Sequence, residues 1–170
     1  MDLKTKIRAI ENFPKEGVTF RDITPILKDP ECLNVAIDRI IESVTDQEFS
    51  LVLGPESRGF IFGVPVSCKI NKGFIPVRKA GKLPYETISK SYSLEYGEAT
   101  IEMHVDAIEK GDKVIIIDDL LATGGTAKAI AELVEQIGAT VSCIVFLIEL
   151  EGLQGRKNLE GYDVRSIIKY

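Results

Sequence analysis

The chain is poor in the residues that build metal centres and disulfide frameworks. Its 170 residues include three cysteines and one histidine. Cys32, Cys68 and Cys143 lie far apart, with no Cys-x-x-Cys spacing and no histidine beside them, which argues against a zinc site. An odd, sparse set of thiols with no export signal fits a reducing cytoplasmic compartment, where they act as small buried hydrophobes. No apolar run reaches the length that spans a bilayer, so no membrane partner is expected. Repeats, low-complexity tracts and linkers are absent too, and a single domain over 1–170 is expected. Positive charge is in deficit: 21 Lys and Arg stand against 26 Asp and Glu, a net −5. A nucleic-acid footprint over the whole chain is therefore not expected. The deficit is uneven. Residues 58–82 hold Arg58, Lys69, Lys72, Arg78, Lys79 and Lys82 and no acid, while the rest has 15 basic and 26 acidic residues, a net −11. One concentrated basic stretch in an acidic chain suits a small polyphosphate.

What the chain does have is a core and an alternation of periods. Apolar residues make up 45%, and a chain this long buries about 70% of its unfolded surface without staples. Leu3, Ile7 and Ile10 predict a short amphipathic helix over 1–10. Ile37, Ile40, Ile41 and Val44 share one helical face and predict a helix over 34–45. A buried strand is expected at 50–53, stopped by Gly54-Pro55. A helix bent or broken near Pro65 is expected over 58–70, and a strand over 73–78. Residues 80–103 are polar and alternate at Tyr92, Leu94 and Tyr96, which reads as a long loop with hairpin character. Val114 to Ile117 is an apolar β-branched run, the pattern of a strand covered on both faces. A helical period follows through Ile137 to Gly138, and then another apolar strand over 141–147. Strand, helix, strand is a βαβ unit. The expected class is therefore α/β, a three-layer domain with a mainly parallel central sheet flanked by helices. Its ligands belong at the carboxyl ends of the strands.

The chemistry concentrates in VIIIDDLLATGGT (114–126). A buried strand leads into two adjacent carboxylates, Asp118 and Asp119. Ala122, Thr123, Gly124, Gly125 and Thr126 then open a helix. Helix-start amides have no intrahelical partners, and the helix dipole favours an anion there. Glycines let backbone approach a phosphate, and the threonines add hydroxyl donors. The two acids suit accepting hydrogen bonds from a diol or holding a hydrated Mg²⁺. The string is not a P-loop, since no Lys-Ser/Thr follows the glycines. Gly54-x₄-Gly59 fails the same test, and no G-x-G-x-x-G occurs.

VIIIDDLLATGGT resembles the phosphoribosyl-diphosphate motif of the type I phosphoribosyltransferases. GVTFRDITPILKDP (17–30), PESRGFIFG (55–63), PVRKAGKLP (76–84) and SYSLEYG (91–97) narrow the resemblance to the branch of that family that uses adenine. The likeness runs from about Phe13 onward, in the family's order. It implies a small N-terminal hood over about 1–33, a flexible catalytic lid over about 83–103, and a homodimer. It also implies small-molecule substrates: a phosphoribosyl diphosphate donor and adenine. The 5-phosphoribosyl group would pass to N9 of the base through an oxocarbenium-like transition state. Alternative readings are a 6-oxopurine enzyme and a non-catalytic nucleotide-binding regulator of the same fold.

The same resemblance implies roles for residues. The backbone and hydroxyls of Ala122 to Thr126 hold the 5′-phosphate, and Asp118 and Asp119 hold the ribose hydroxyls. Glu56, Ser57, Arg58, Arg78, Lys79 and Lys82 serve the pyrophosphate, and the Glu56-Ser57 peptide is often cis in the family. One basic arm reaches across the dimer interface. Mg²⁺ binds through substrate oxygens and water, with Asp118 or Asp119 as candidate ligands. Glu95 matches the residue that exchanges a proton with purine N7, with Arg58 also catalytic. Tyr92 and Tyr96 belong to the lid. Thr19, Phe20, Arg21 and Leu150 serve adenine, Phe20 by stacking. His104 receives no role.

Overall fold

The computed structural model describes residues 1–94 and 97–170. The chain divides into two compact units, Met1–Arg39 and Ile40–Tyr170.

The smaller unit begins with a 3₁₀ turn, Leu3–Lys6, whose N-cap Asp2 accepts from the Lys4 amide at 2.9 Å. Strand β1 (Arg8–Glu11) pairs antiparallel with β2 (Thr19–Asp22), Ile10 opposite Phe20. Residues 1–10 are therefore not the expected helix. A stretch that short is a marginal helix by itself, and pairing with β2 satisfies its backbone instead. Helix α1 spans Thr24–Lys28. Helix α2 (Pro30–Glu42) starts four residues before the expected point and runs past the boundary of the unit. Pro30 opens it, where a missing amide proton costs nothing. The Asp29 carboxylate accepts from the Glu31 and Cys32 amides at 3.0 and 3.3 Å.

The larger unit is built on a seven-stranded sheet. Its strands are β3 (Leu51–Pro55), β4 (Gly73–Lys79), β5 (Thr87–Leu94), β6 (Gly97–His104), β7 (Lys113–Leu121), β8 (Thr140–Glu149) and β9 (Val164–Lys169). The order is β5-β6-β4-β3-β7-β8-β9. The five strands from β4 to β9 in that order run parallel, and β5 and β6 are antiparallel additions at one edge. Helix α3 (Arg58–Lys69) connects β3 to β4, and α4 (Gly125–Ile137) connects β7 to β8. The first crossover steps toward one edge and the second toward the other. Right-handed connections then put the two helices on opposite faces of the sheet. The order reverses between β3 and β7, so the loops leaving their carboxyl ends diverge and open a crevice.

Strand β7 explains how the core and that crevice meet. Val114 and Ile116 are fully buried in the cluster that includes Ile130, Leu133 and Val134 of α4 and Ile144 and Phe146 of β8. Ile115 and Ile117, on the alternate face, are also fully buried. The strand runs on through both acids to Leu121, because β8 continues beside it, with Leu120 opposite Ile148 and Leu121 opposite Glu149. The helix expected over 58–70 is the single helix α3, Arg58–Lys69, with Pro65 inside it. The 80–103 segment is more regular than a loop: β5 and β6 pair in full register from Thr87↔His104 to Leu94↔Gly97. Both of its strands are largely half-exposed or exposed, so little apolar alternation marked them.

Candidate active site

At the carboxyl end of β7, Gly124 is the N-cap of α4 with φ +85°, a left-handed conformation that favours glycine. A Cβ there would lie 2.7 Å from the Gly155 carbonyl oxygen. The Lys128 amide donates to the Gly124 carbonyl at 3.0 Å, closing the first turn. No acid lies in that turn, so the helix dipole faces the loop unopposed. Residues Leu120 to Ala127, with Asp118 and Phe146, line a cavity of about 80 Å³. Phosphate-sized space is thus walled by the residues whose amides and hydroxyls were expected to cradle it. The hydroxyls of Thr126 and Tyr92 hydrogen-bond at 2.8 Å, which brings β5 onto the loop.

The two carboxyl groups lie together by the start of α3: Asp118 Oδ1 is 3.2 Å from where a Cβ on Gly59 would be, and the Arg58 charge acts on both. Asp119 is 4% exposed, and its Oδ2 lies 2.9 Å from Arg58 Nε at the start of α3. Asp118 accepts from the Asp119 amide at 2.8 Å. Burial raises both carboxyl pKa values. Asp118 goes further, because the Asp119 charge adds to burial, whereas Arg58 opposes the rise at Asp119. Gly59 makes the contact feasible: a Cβ there would sit 2.7 Å from Pro55 Cδ and 3.0 Å from the Ile117 carbonyl oxygen.

On the other side of the crevice the Glu56-Ser57 peptide is cis, as the resemblance implied. Glu56 does not present its carboxylate as a phosphate ligand. It accepts from the Lys79 amide at 2.6 Å, Lys82 Nζ at 3.0 Å and Arg78 Nη2 at 3.3 Å. Burial works to raise its pKa, but the Lys79 amide, Lys82 and Arg78 outweigh that and hold it lowered to about 2. Arg78 Nε is buried without a hydrogen-bond partner among the described residues. Pro55, Glu56, Arg78 and Lys79 share a cavity of about 90 Å³ with Tyr92 and Thr126. The loop after β3, the end of β4, β5 and the α4 loop therefore converge.

The remaining expected residues that are described lie on other elements. Thr19, Phe20 and Arg21 lie on β2 of the smaller unit, where the Phe20 ring packs edge-on to Phe13 at 5.3 Å. Leu150 follows β8, its amide donating to the Leu121 carbonyl at 3.0 Å. Glu95 and Tyr96 lie outside the described residues. Among the described residues no group of three His, Cys, Asp or Glu could hold a metal by itself, and no helix is long and apolar enough to cross a membrane. Two residues that sequence reasoning missed contact the loop from the Gly155–Leu159 segment. Asn158 Nδ2 donates to the Thr123 carbonyl at 2.7 Å, and Gly155 packs its backbone on Ala122 and Gly124. No motif or periodicity flags either.

With this geometry in view, the similarities to known proteins are specific. The family model described as "Phosphoribosyl transferase domain" matches residues 26–169. The chain is 59% identical to the adenine phosphoribosyltransferase of Kosmotoga olearia, over 100% of both chains. It is 57% identical to that of Lachnoclostridium phytofermentans, over 99% of this chain and 97% of the relative. The structure of adenine phosphoribosyltransferase from Thermoanaerobacter pseudethanolicus superposes with a TM-score of 0.96 at 50% identity, over 99% and 98% of the two chains. The Saccharomyces cerevisiae enzyme, solved with an imino-altritol bisphosphate and adenine, superposes at 0.91 with 40% identity, over 97% and 96%. A seven-stranded α/β sheet, a phosphate-sized loop at its switch point and full-length likeness place this chain in the phosphoribosyltransferase family.

Proposed function

We propose that the protein transfers the 5-phosphoribosyl group of 5-phosphoribosyl 1-diphosphate to N9 of adenine, giving AMP and pyrophosphate. The observation that carries this reading is the Asp119–Arg58 pair, 2.9 Å apart. It sets a ribose-binding acid against a diphosphate-binding cation where the β3 and β7 loops diverge.

The amides of 122–126 and the Thr123 and Thr126 hydroxyls hold the 5′-phosphate. Asp118 and Asp119 accept from the ribose hydroxyls, and as carboxylates they favour the positive charge that develops on the ring. Arg58, Arg78 and Lys82 draw the leaving diphosphate, Arg through its planar fork and Lys as a point charge. Lys79 adds charge at the end of β4. Glu56 acts differently: its carboxylate gathers Arg78, Lys82 and the Lys79 amide, so it orders the cations and leaves the phosphate contacts to them. Two adjacent carboxylates are too few to cage a metal but fit a hydrated Mg²⁺ that shares substrate oxygens. Bound in that way, Mg²⁺ would offset charge on the diphosphate, with Asp118 or Asp119 as its protein ligands.

The β5–β6 hairpin serves as the lid, excluding water from a centre whose competing reaction is hydrolysis. Tyr92 caps the phosphate loop, and Glu95 exchanges the proton at N7, with Tyr96 beside it in sequence. Adenine recognition is assigned by resemblance to Thr19, Phe20 and Arg21, and to Leu150. Backbone groups matched to adenine's N6 donor and N1 acceptor face the wrong partners in a 6-oxopurine. We place the protein in the cytoplasm, consistent with three free cysteines, and as a homodimer. Helix α3 leaves Val64 41% exposed and Cys68 exposed, an apolar face that a second copy would cover.

Incubation with donor, Mg²⁺ and each of adenine, hypoxanthine, guanine and uracil, with pyrophosphate measured, tests the reading. Turnover with adenine at least about a hundredfold above hypoxanthine is expected. Equal rates would remove the specificity, and no turnover with any base would leave a nucleotide-binding regulator. Glu95→Gln should lower kcat by about a hundredfold or more with a smaller effect on donor KM; equal losses would take Glu95 out of proton transfer. Glu56→Gln addresses the cation cluster. Because the folded pKa of Glu56 is lowered, its stabilisation is fully present above about 4.5 and is lost as pH falls toward about 2. In urea titrations the variant should be less stable than wild type at pH 7, and the gap should narrow by pH 3. A gap independent of pH would show that the charge is not what holds the cluster.

A further inference from the structure

The Gly155–Leu159 segment is a 3₁₀ turn that touches the phosphate loop from outside the motif. It is fixed by an ion pair between an exposed arginine and a buried glutamate. Glu149, the last residue of β8, is 4% exposed, and its carboxylate accepts from Arg156 Nε at 2.7 Å and Nη2 at 2.8 Å. This bidentate geometry is the strong form of the pair. Arg156 Nη1 also donates to the Val164 carbonyl at 2.7 Å, and Nη2 to Ser166 Oγ at 3.2 Å. The guanidinium thus clamps the turn to the ends of two strands. Hydrogen bonds from Arg156 lead the causes that lower the Glu149 pKa, so the pair stays charged at neutral pH.

The clamp delivers two contacts to the loop. Gly155 is buried, and a Cβ on it would collide with the Ala122 carbonyl oxygen and come within 2.7 Å of Leu121 Cδ1. Asn158 donates from Nδ2 to the Thr123 carbonyl at 2.7 Å. That carbonyl and the Gly124 N–H belong to one peptide unit. In a trans peptide the two point in opposite directions. Holding the carbonyl on Asn158 therefore aims the Gly124 N–H away from Asn158. The phosphate-sized cavity lined by Leu120 to Ala127 is walled by this peptide, and Asn158 lines a neighbouring, larger cavity with Thr123, Gly125 and Thr126.

We propose that Asn158, held in place by the Glu149–Arg156 clamp, is a positioning residue that pre-orients the Thr123–Gly124 peptide for the 5′-phosphate. The inference rests on the reading of residues 122–126 as the phosphate cradle. Without the amide donor the peptide is free to rotate, and the ordering then falls on substrate binding. The consequence is specific to ligands that carry the 5′-phosphate.

Asn158→Ala tests this with ribose 5-phosphate and pyrophosphate as separate probes, bound to the full-length protein and followed by calorimetry. The Asn158 residue is exposed, and the variant should fold with an unchanged thermal midpoint. Its affinity for ribose 5-phosphate should fall roughly fivefold to tenfold, the scale of one hydrogen bond. Donor KM should rise by the same factor, while kcat and pyrophosphate affinity stay near wild type. Asn158→Asp, which offers the carbonyl an acceptor in place of a donor, should lose at least as much. If wild type binds ribose 5-phosphate and Asn158→Ala binds it equally well, the inference is wrong. If wild type itself does not bind it, the phosphate-cradle reading fails first. A parallel loss for both probes with a lowered thermal midpoint would show a merely structural role and overturn the proposal.

Discussion

Burying two neighbouring carboxylates at the end of a central strand is the constraint around which the larger unit is arranged. Asp118 and Asp119 sit on β7 between β3 and β8, and burial raises both carboxyl pKa values. The offset comes from Arg58, whose guanidinium reaches Asp119 from the first turn of α3. That contact requires the start of α3 to lie directly on β7. Gly59 permits it because any side chain there would meet Pro55 and the Ile117 carbonyl. The position of α3, the course of the chain through residues 55–58 and the charge state of the acids are therefore linked. Removing one partner of such a pair leaves a charge buried without compensation, which is the costly case.

From this constraint the chemistry follows by proximity. In the proposed reaction the acids would face the ring on which positive charge develops, and the cations the diphosphate that departs. Both sets share one crevice because the strand order reverses between β3 and β7. The net charge of the chain is −5, yet Arg78, Lys79 and Lys82 meet at Glu56 and Arg58 pairs with Asp119. Glu56 adds a second tier: it pairs the cations with a carboxylate while they wait for substrate. The β5–β6 hairpin has a similar logic. Tyr92 reaches Thr126, and Lys90 pairs with Glu132 of α4 at 2.9 Å, so the β5–β6 hairpin is tied to the helix that carries the phosphate loop.

Much of this was legible in the sequence, for identifiable reasons. The run Val114 to Ile117 is apolar on both alternations because both faces of β7 are covered, and that is a strong strand signal. Gly124 and Gly138 mark the two ends of α4 because each has a left-handed φ, +85° and +88°. The Asp118-Asp119 pair and the small-residue loop stood out by residue type alone, and the proposal of a phosphate and diol site starts from them. The hairpin was harder, since its strands pack little apolar surface and their polar alternation resembles a loop. The first ten residues misled because Leu3, Ile7 and Ile10 fit a helical face, whereas pairing with β2 takes the backbone of Arg8–Glu11. Asn158 was not legible at all: its role runs through one carbonyl of a distant loop, and an exposed asparagine carries no pattern that points there.

The central claim is that Arg58 and Asp119 act as one unit in binding the donor, and a double-mutant cycle measures it directly. Donor affinity would be determined by calorimetry for wild type, Arg58→Gln, Asp119→Asn and the double variant. Each single change should weaken binding, and the double variant should depart from additivity by about 0.5–3 kcal/mol, as contacting residues do. Effects that add to within about 0.3–0.5 kcal/mol would mean that the two residues serve the donor independently, and the account built on their contact would be contradicted.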